Sequence, residues 1–253
     1  AHYLAKNQVL YSDKKALTLV HRLSEAFQFN LLKASLNLAK EKGKCDGFER
    51  TKYADGILPI DTYKKELDEI CDIKLQYDWD WLREEIVKHG IRHSTLSAQM
   101  PSESSSVVSN ATNGIEPPRG YLSVKKSKKG PLKQVVPQYQ TLKNHYTLLW
   151  DMPSNDGYIN IVAVMQKFFD QAISGNWSYN PTHFDNNEVP MSIMIKDLLN
   201  TYKYGWKTSY YQNTYDYKSD GDIEDEPKQE PLSREEFEGT DKEYEEHCEA
   251  CAI

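Results

Sequence analysis

The chain has 253 residues, with 39% hydrophobic, 11% aromatic and 27% charged side chains and a formal net charge of −7. That length allows one large domain or two ordinary ones, and 17 Tyr with 5 Trp are too many for a disordered polymer. No stretch approaches the run of about 18 apolar residues that a membrane-spanning helix needs, and the opening AHYLAKNQVL lacks the apolar centre of a secretory signal.

With no initiator Met, the chain reads as one that begins in mid-domain. Ser12 and Asp13 are placed to cap a helix that runs to about Lys42 and closes at Gly43. Along it Leu19, Leu23, Phe27, Leu31, Ala34 and Leu38 keep the three-to-four spacing of a core-facing stripe. Residues 45–59 show no period and read as loop. A charged helix is predicted from Asp61 or Thr62 to Ile70, and a second, WDWLREEIVKH, is capped by Asp78 and ends at Gly90. Thr95–Met100 reads as a short extended run. Pro101, followed by Ser102, Glu103, Ser104, Ser105 and Ser106, is a helix-start pattern.

Asn113-Gly114 and Pro117-Pro118 force a turn before the extended GYLSVKK. The basic run Lys125 to Lys129 reads as a solvated hairpin tip; no stripe of the kind that binds nucleic acid is present. Helices are predicted at Thr141–Trp150 and Tyr158–Ile173, with a loop over Gly175–Pro190. A last helix, Met191–Tyr204, is stopped by Gly205 and followed by the strand WKTSYYQNT. Helices alternating with strands indicate an α/β fold. From Tyr215 to Ile253 the chain carries 15 acidic and 4 basic side chains, leaving 23 acids and 27 bases in residues 1–214. A mildly basic domain (1–214) and a flexible, self-repelling acidic tail (215–253) are therefore predicted.

Three features carry chemistry. A helix start at Ser102–Ser105 offers unpaired N–H groups and about half a positive charge to a phosphate or carboxylate; the same residues serve equally as a capping box with solvated serines. Cys248 and Cys251 stand close enough to close a small disulfide ring and pass two electrons. A zinc half-site with His247 is the rival reading, but no second pair completes four ligands. Cys45 and Cys71 read as ordinary buried or loop cysteines, and so few cysteines suit a reducing cytoplasm. Tyr210 and Tyr211 would point to opposite faces of a regular strand and pack one on each; at a strand end that alternation can break, and two stacked phenols could then relay an electron while each proton moves to a neighbour.

Together these features resemble the class I ribonucleotide reductase large subunit, in its C-terminal portion. The resemblance is carried by LSAQMPSESSSVVSNATNGIEPPRG (96–120), NDGYINIVAVMQKFFDQAIS (155–174), KDLLNTYKYGWKTSYYQNT (196–214) and the terminal Cys pair, with GILPIDTYKKELDEI and YLAKNQVLYSD also alike. It implies the closing section of a ten-stranded α/β barrel, in a bacterial or bacteriophage type of enzyme acting in the cell's or host's cytoplasm. It implies that Pro101, Ser102, Glu103, Ser104 and Ser105 hold the diphosphate of a ribonucleoside diphosphate substrate. Tyr210 and Tyr211 would deliver the oxidising equivalent. Cys248 and Cys251 would reduce the active-site disulfide and be re-reduced by thioredoxin or glutaredoxin, although the relatives space these cysteines further apart. The Met191–Tyr204 helix would help form the groove for the small subunit's C-terminus. The resemblance further implies a radical-forming cysteine and ATP/dNTP regulatory sites on an upstream portion, and a di-iron radical cofactor supplied by the small subunit. No metal is expected on this segment, which would be inactive alone and would expose an unusually large apolar docking face. The alternative is a non-catalytic interaction module that keeps the scaffold and docks with the small subunit.

Overall fold

The computed structural model describes residues 1–127 and 130–216. Residues Ala1–Tyr215 form one unit around a single main core. After a five-residue helix α1 (His2–Lys6) comes α2 (Lys14–Lys42), followed by short 3-10 turns at Phe48–Arg50, Lys52–Asp55, Pro59–Asp61 and Lys65–Glu69. Helix α3 (Trp79–His89) and the short α4 (Glu103–Val108) precede an antiparallel hairpin, β1 (Leu122–Ser127) with β2 (Gly130–Val135). Then follow α5 (Tyr139–Leu142), α6 (Asp156–Gln166), β3 (Ser174–Tyr179), α7 (Met191–Tyr204) and β4 (Thr208–Thr214). Strands β3 and β4 pair in parallel, and a parallel bridge from Gln99 to Ile173 aligns the 96–100 segment beside β3. Parallel strands joined through a helix fit the α/β class. Among the described residues no helix is long and apolar enough to cross a membrane.

The capping signals are obeyed where they are local. Asp78 accepts the Trp81 N–H at 2.9 Å at the start of α3. Gly43, Gly90 and Gly205 end α2, α3 and α7, all at positive φ. Asp13 precedes α2, but its carboxylate accepts the Leu10 N–H at 2.7 Å instead of a helix N–H. Other expectations are corrected. The 61–70 helix is two 3-10 turns, because Asp61 turns back to accept the Leu58 N–H and grips the Arg83 guanidinium. Residues 141–150 break into α5 and further 3-10 turns, and α6 ends at Gln166. The predicted 175–190 loop begins with a strand: Ser174–Tyr179 is β3, most of it buried.

The largest correction concerns α2. The Leu19 to Leu38 stripe is not the buried face: Leu19, Leu31 and Leu38 are half-buried, Leu19 against the edge of the core, and Leu23 and Phe27 are 48% and 50% exposed. The buried face is Leu17, Val20, His21, Ser24, Glu25, Gln28, Phe29, Leu32, Ser35 and Leu36. Of its polar members, Glu25 and Ser35 are satisfied by distant segments, whereas His21 has no hydrogen-bond partner. Glu25 accepts the backbone N–H of Gln76 (2.6 Å) and Tyr77 (3.1 Å) and the Trp79 indole N–H (3.2 Å). Ser35 accepts the His93 N–H at 3.1 Å. Apolar spacing alone cannot distinguish two candidate faces of one helix when the losing face keeps its leucines.

Burying His21 has a cost that depends on pH. It is fully buried edge-on against Phe168 (4.9 Å), and neither ring nitrogen has a hydrogen-bond partner. Burial first, and the Lys167 charge second, lower its pKa from 6.5 to about 4. The unfolded chain takes up this proton near pH 6.5 and the folded chain only near 4, so His21 removes stability as pH falls between those values. His21→Leu should flatten that acid limb, by up to about 3 kcal/mol near pH 4. Urea unfolding midpoints of both proteins from pH 7 to 4 measure the difference; parallel curves would exclude the assignment.

Candidate functional site

The site lies where the 96–100 segment ends, alongside the first residues of β3, and its cavity is lined by Met100, Pro101, Ser174 and Asn176. The 96–100 segment runs into Pro101 and the start of α4. There the Ser102 N–H donates to Asn113 Oδ1 (3.0 Å), and Ser102 Oγ accepts the Gly114 N–H (3.2 Å). Gly114 sits at φ +58°, a conformation that suits glycine, so the Asn113-Gly114 turn braces the helix start. From the other side Gln134 of β2 donates to the carbonyls of Ser106 and Ala111 at 3.3 and 3.1 Å.

These braces enclose a cavity of about 440 Å³ lined by Pro101, Ser106, Gly114, Glu116, Arg119 and Asn176, among others. Of the predicted diphosphate residues only Pro101 lines it. Ser104 and Ser105 are exposed, Ser102 is committed to the Gly114 brace, and Glu103 begins α4. Helix N–H groups in a first turn have no partner within the helix, so α4 itself leaves those of residues 103–105 without an intrahelical acceptor. Two charged residues were missed by the sequence reading. Arg119, whose guanidinium lies 5.7 Å from the Trp150 ring centre, brings a cation to the cavity. Glu116, whose pKa burial raises, accepts two hydrogen bonds from Asn176. Both lie in IEPPRG, where the paired prolines dominated as a turn signal.

Tyr210 and Tyr211 are brought together, but not as stacked rings. Their centroids are 5.1 Å apart at 78°, an edge-to-face contact, and they are 59% and 63% exposed. The alternation breaks inside β4 and not at its end. Gly175 is opposite Ser209 and Trp177 opposite Gln212, so β4 spends one more residue than β3 across this step. That is a bulge, and the extra residue falls at the tyrosine pair. Asn176, on the β3 side of the bulge, accepts the Tyr211 N–H at 3.0 Å.

Helix α7 repeats the inversion of α2. Its buried residues are Asp197 and Thr201, held by Asn155 Nδ2 (2.9 Å) and the Trp177 indole N–H (3.2 Å). Met191, Ile195, Leu198, Leu199 and Tyr202 form an exposed apolar stripe. Cys248 and Cys251, with His247, lie outside the described residues. Cys45 is half-buried; Cys71 is buried, and burial pushes its thiol up to about 11. Among the described residues no cluster of His, Cys, Asp and Glu is arranged to hold a metal ion.

Comparison with known proteins matches the family described as "Ribonucleotide reductase, barrel domain" over residues 1–145 and 138–212. Ribonucleoside-diphosphate reductase subunit alpha of Haemophilus influenzae is 61% identical over 87% of this chain and 29% of its own length. The Escherichia coli subunit 1 alpha is 60% identical over the same shares, and that of Enterobacteria phage T4 is 47% identical over 88% and 30%. The chain thus spans less than a third of the length of these relatives.

Gly175, next to Asn176, has no room for a side chain: a Cβ there would lie 2.2 Å from the Tyr158 hydroxyl and 2.9 Å from the Trp206 ring. Gly175→Ala should lower unfolding stability by about 1–3 kcal/mol, the usual cost of overpacking. Adding Tyr158→Phe, which removes the nearest atom, should recover part of it. Urea denaturation of the single and double variants is the check, and an unaffected midpoint for Gly175→Ala would count against this packing.

Proposed function

Because the chain belongs to the ribonucleotide reductase barrel-domain family, we propose that it supplies part of a ribonucleoside-diphosphate reductase large subunit. In that role it forms the closing section of the ten-stranded α/β barrel (1–214) and the reducing tail (215–253), in a cytoplasmic enzyme. The overall reaction replaces the 2′-hydroxyl of a ribonucleoside diphosphate by hydrogen. The observation that carries the reading is the double duty of Asn176, which lines the polar cavity and accepts the Tyr211 N–H. Cavity and tyrosine pair are thereby neighbours across one residue of β3.

In the proposed mechanism the substrate diphosphate meets the α4 start at Pro101–Ser105, through first-turn N–H groups and the hydroxyls of Ser102, Ser104 and Ser105. Arg119 contributes the neighbouring positive charge. Tyr210 and Tyr211 pass an oxidising equivalent: each phenol gives up one electron and one proton and regains both as the hole moves on. The hole ends on a radical-forming cysteine that the family resemblance assigns to the upstream portion of the subunit; among the described residues neither Cys45 nor Cys71 lines the cavity. The chain alone is accordingly inactive. Cys248 and Cys251 reduce the disulfide left by turnover, and thioredoxin or glutaredoxin reduces them in turn.

The exposed stripe of α7 is the proposed docking surface for the small subunit. That subunit carries the di-iron radical cofactor, for which no described residue cluster here is suited. Allosteric ATP and dNTP sites are assigned to the upstream part of the large subunit. The same α7 stripe also favours a second reading, a non-catalytic module that docks without contributing to turnover.

Tyr211→Phe separates the two. In the assembled enzyme it should abolish CDP reduction while leaving substrate affinity unchanged, since a phenyl ring has no proton to release. Retained turnover would remove the relay and leave the docking module. Cys248→Ser and Cys251→Ser should spare turnover driven by a small dithiol and block cycles driven by thioredoxin. An equal effect on both routes would end the shuttle assignment.

A further inference from the structure

The bulge in β4 poses a structural problem of its own. Bulges are rare in parallel pairs, and each leaves a backbone group without its ladder partner. Here the group is the Tyr211 N–H, and a side chain takes it: Asn176 Oδ1 accepts at 3.0 Å. A primary amide can turn either end toward a donor, and only its oxygen accepts. What selects the oxygen is Glu116. Its Oε1 accepts both the Asn176 Nδ2 hydrogen (2.7 Å) and the Asn176 backbone N–H (3.0 Å). With the nitrogen end held by a carboxylate, the oxygen end faces Tyr211. The backbone on the near side is pinned as well, since Gly175 is wedged against the Tyr158 hydroxyl and Trp206.

We propose that Glu116 and Asn176 are positioning residues for the tyrosine pair, the carboxylate orienting the amide and the amide holding the bulge that sets Tyr210 and Tyr211 side by side. This rests on the relay reading of those tyrosines for its effect on turnover, but the anchoring itself does not. Glu116 and Asn176 also line the cavity, but the Asn176 amide spends its oxygen on the Tyr211 N–H and a hydrogen on Glu116 Oε1. Removing the amide should therefore show mainly in turnover, read as kcat, and little in substrate binding, read as KM.

The test uses the assembled enzyme with its small subunit. Asn176→Ala should lower kcat at least tenfold while KM stays within twofold. Asn176→Asp keeps the acceptor for Tyr211 but sets two carboxylates face to face, so it should also lose kcat. Adding Glu116→Gln restores a donor–acceptor pair and should recover most of that loss; this same-size pair decides the question if Asn176→Ala fails to assemble. Hydrogen exchange of the 208–214 segment should quicken in Asn176→Ala, independently of activity.

Wild-type kcat in Asn176→Ala, a rise in KM alone, a double variant no better than Asn176→Asp, or unchanged exchange would each overturn the proposal. The Tyr211→Phe control keeps the two readings apart. If it is inactive while Asn176→Ala turns over normally, only the positioning inference falls. If it is active, the relay falls, and the exchange measurement still judges the anchor.

Discussion

The Asp170 side chain is the constraint on which the arrangement of the parallel segments rests. Its carboxylate accepts the backbone N–H of Leu96 (2.8 Å) and Ser97 (3.3 Å), the Tyr53 hydroxyl and the Gln28 amide. Its own N–H donates to Ser97 Oγ, and its carbonyl accepts the Lys207 ammonium. One residue therefore gathers the 96–97 segment, α2, a 3-10 turn, and the approaches to β3 and β4. A half-buried carboxylate with this many donors is tightly located, because each donor would otherwise lose its partner. Further along the same segments lie Pro101, Asn176 in the first half of β3 and the tyrosine pair in the middle of β4. Aligning the segment starts sets the relative heights of all three.

Helices α2 and α7 share an arrangement that runs against simple amphipathic logic. Each buries polar side chains with specific long-range partners and leaves an apolar stripe outward. Glu25 offsets its burial with hydrogen bonds from Gln76, Tyr77 and Trp79, whereas Asp197 accepts from Asn155 on one oxygen and leaves Oδ1 without a partner; an exposed leucine forfeits only its transfer free energy. Outward apolar stripes on two helices exceed the scattered apolar residues of an ordinary surface, and burial against further protein is their usual fate. For α7 this agrees with the docking role that the family resemblance implies.

Around the cavity, charge is organised in a chain of contacts. Arg119 and Glu116 line the cavity from the same turn, Glu116 holds Asn176, and Asn176 holds the backbone of Tyr211. The two phenols remain exposed, with an edge-to-face contact that needs neither stacking nor a buried strand. A bulge gives two consecutive residues a common side, which regular pleating denies them.

Much of this protein was legible from its residues. Asp78, Gly90, Gly43 and Gly205 mark helix ends correctly, and the Met191–Tyr204 helix falls where its pattern begins and stops. Caps are hydrogen bonds and dihedral preferences spanning a few neighbouring residues, so local sequence determines them. The motifs around Pro101 and Tyr210-Tyr211 likewise carried the family likeness without any coordinates. Tertiary structure alone decided which face of α2 and α7 turns inward, that β3 replaces a loop, and that Glu116, Arg119 and Asn176 gather around one cavity, with Asn176 bonded to the Tyr211 backbone. Those outcomes depend on partners far along the chain, such as Trp79 for Glu25, Tyr53 for Asp170 and Glu116 for Asn176. Residue spacing within one helix or strand holds no record of such partners, because they meet only once the chain has closed on itself.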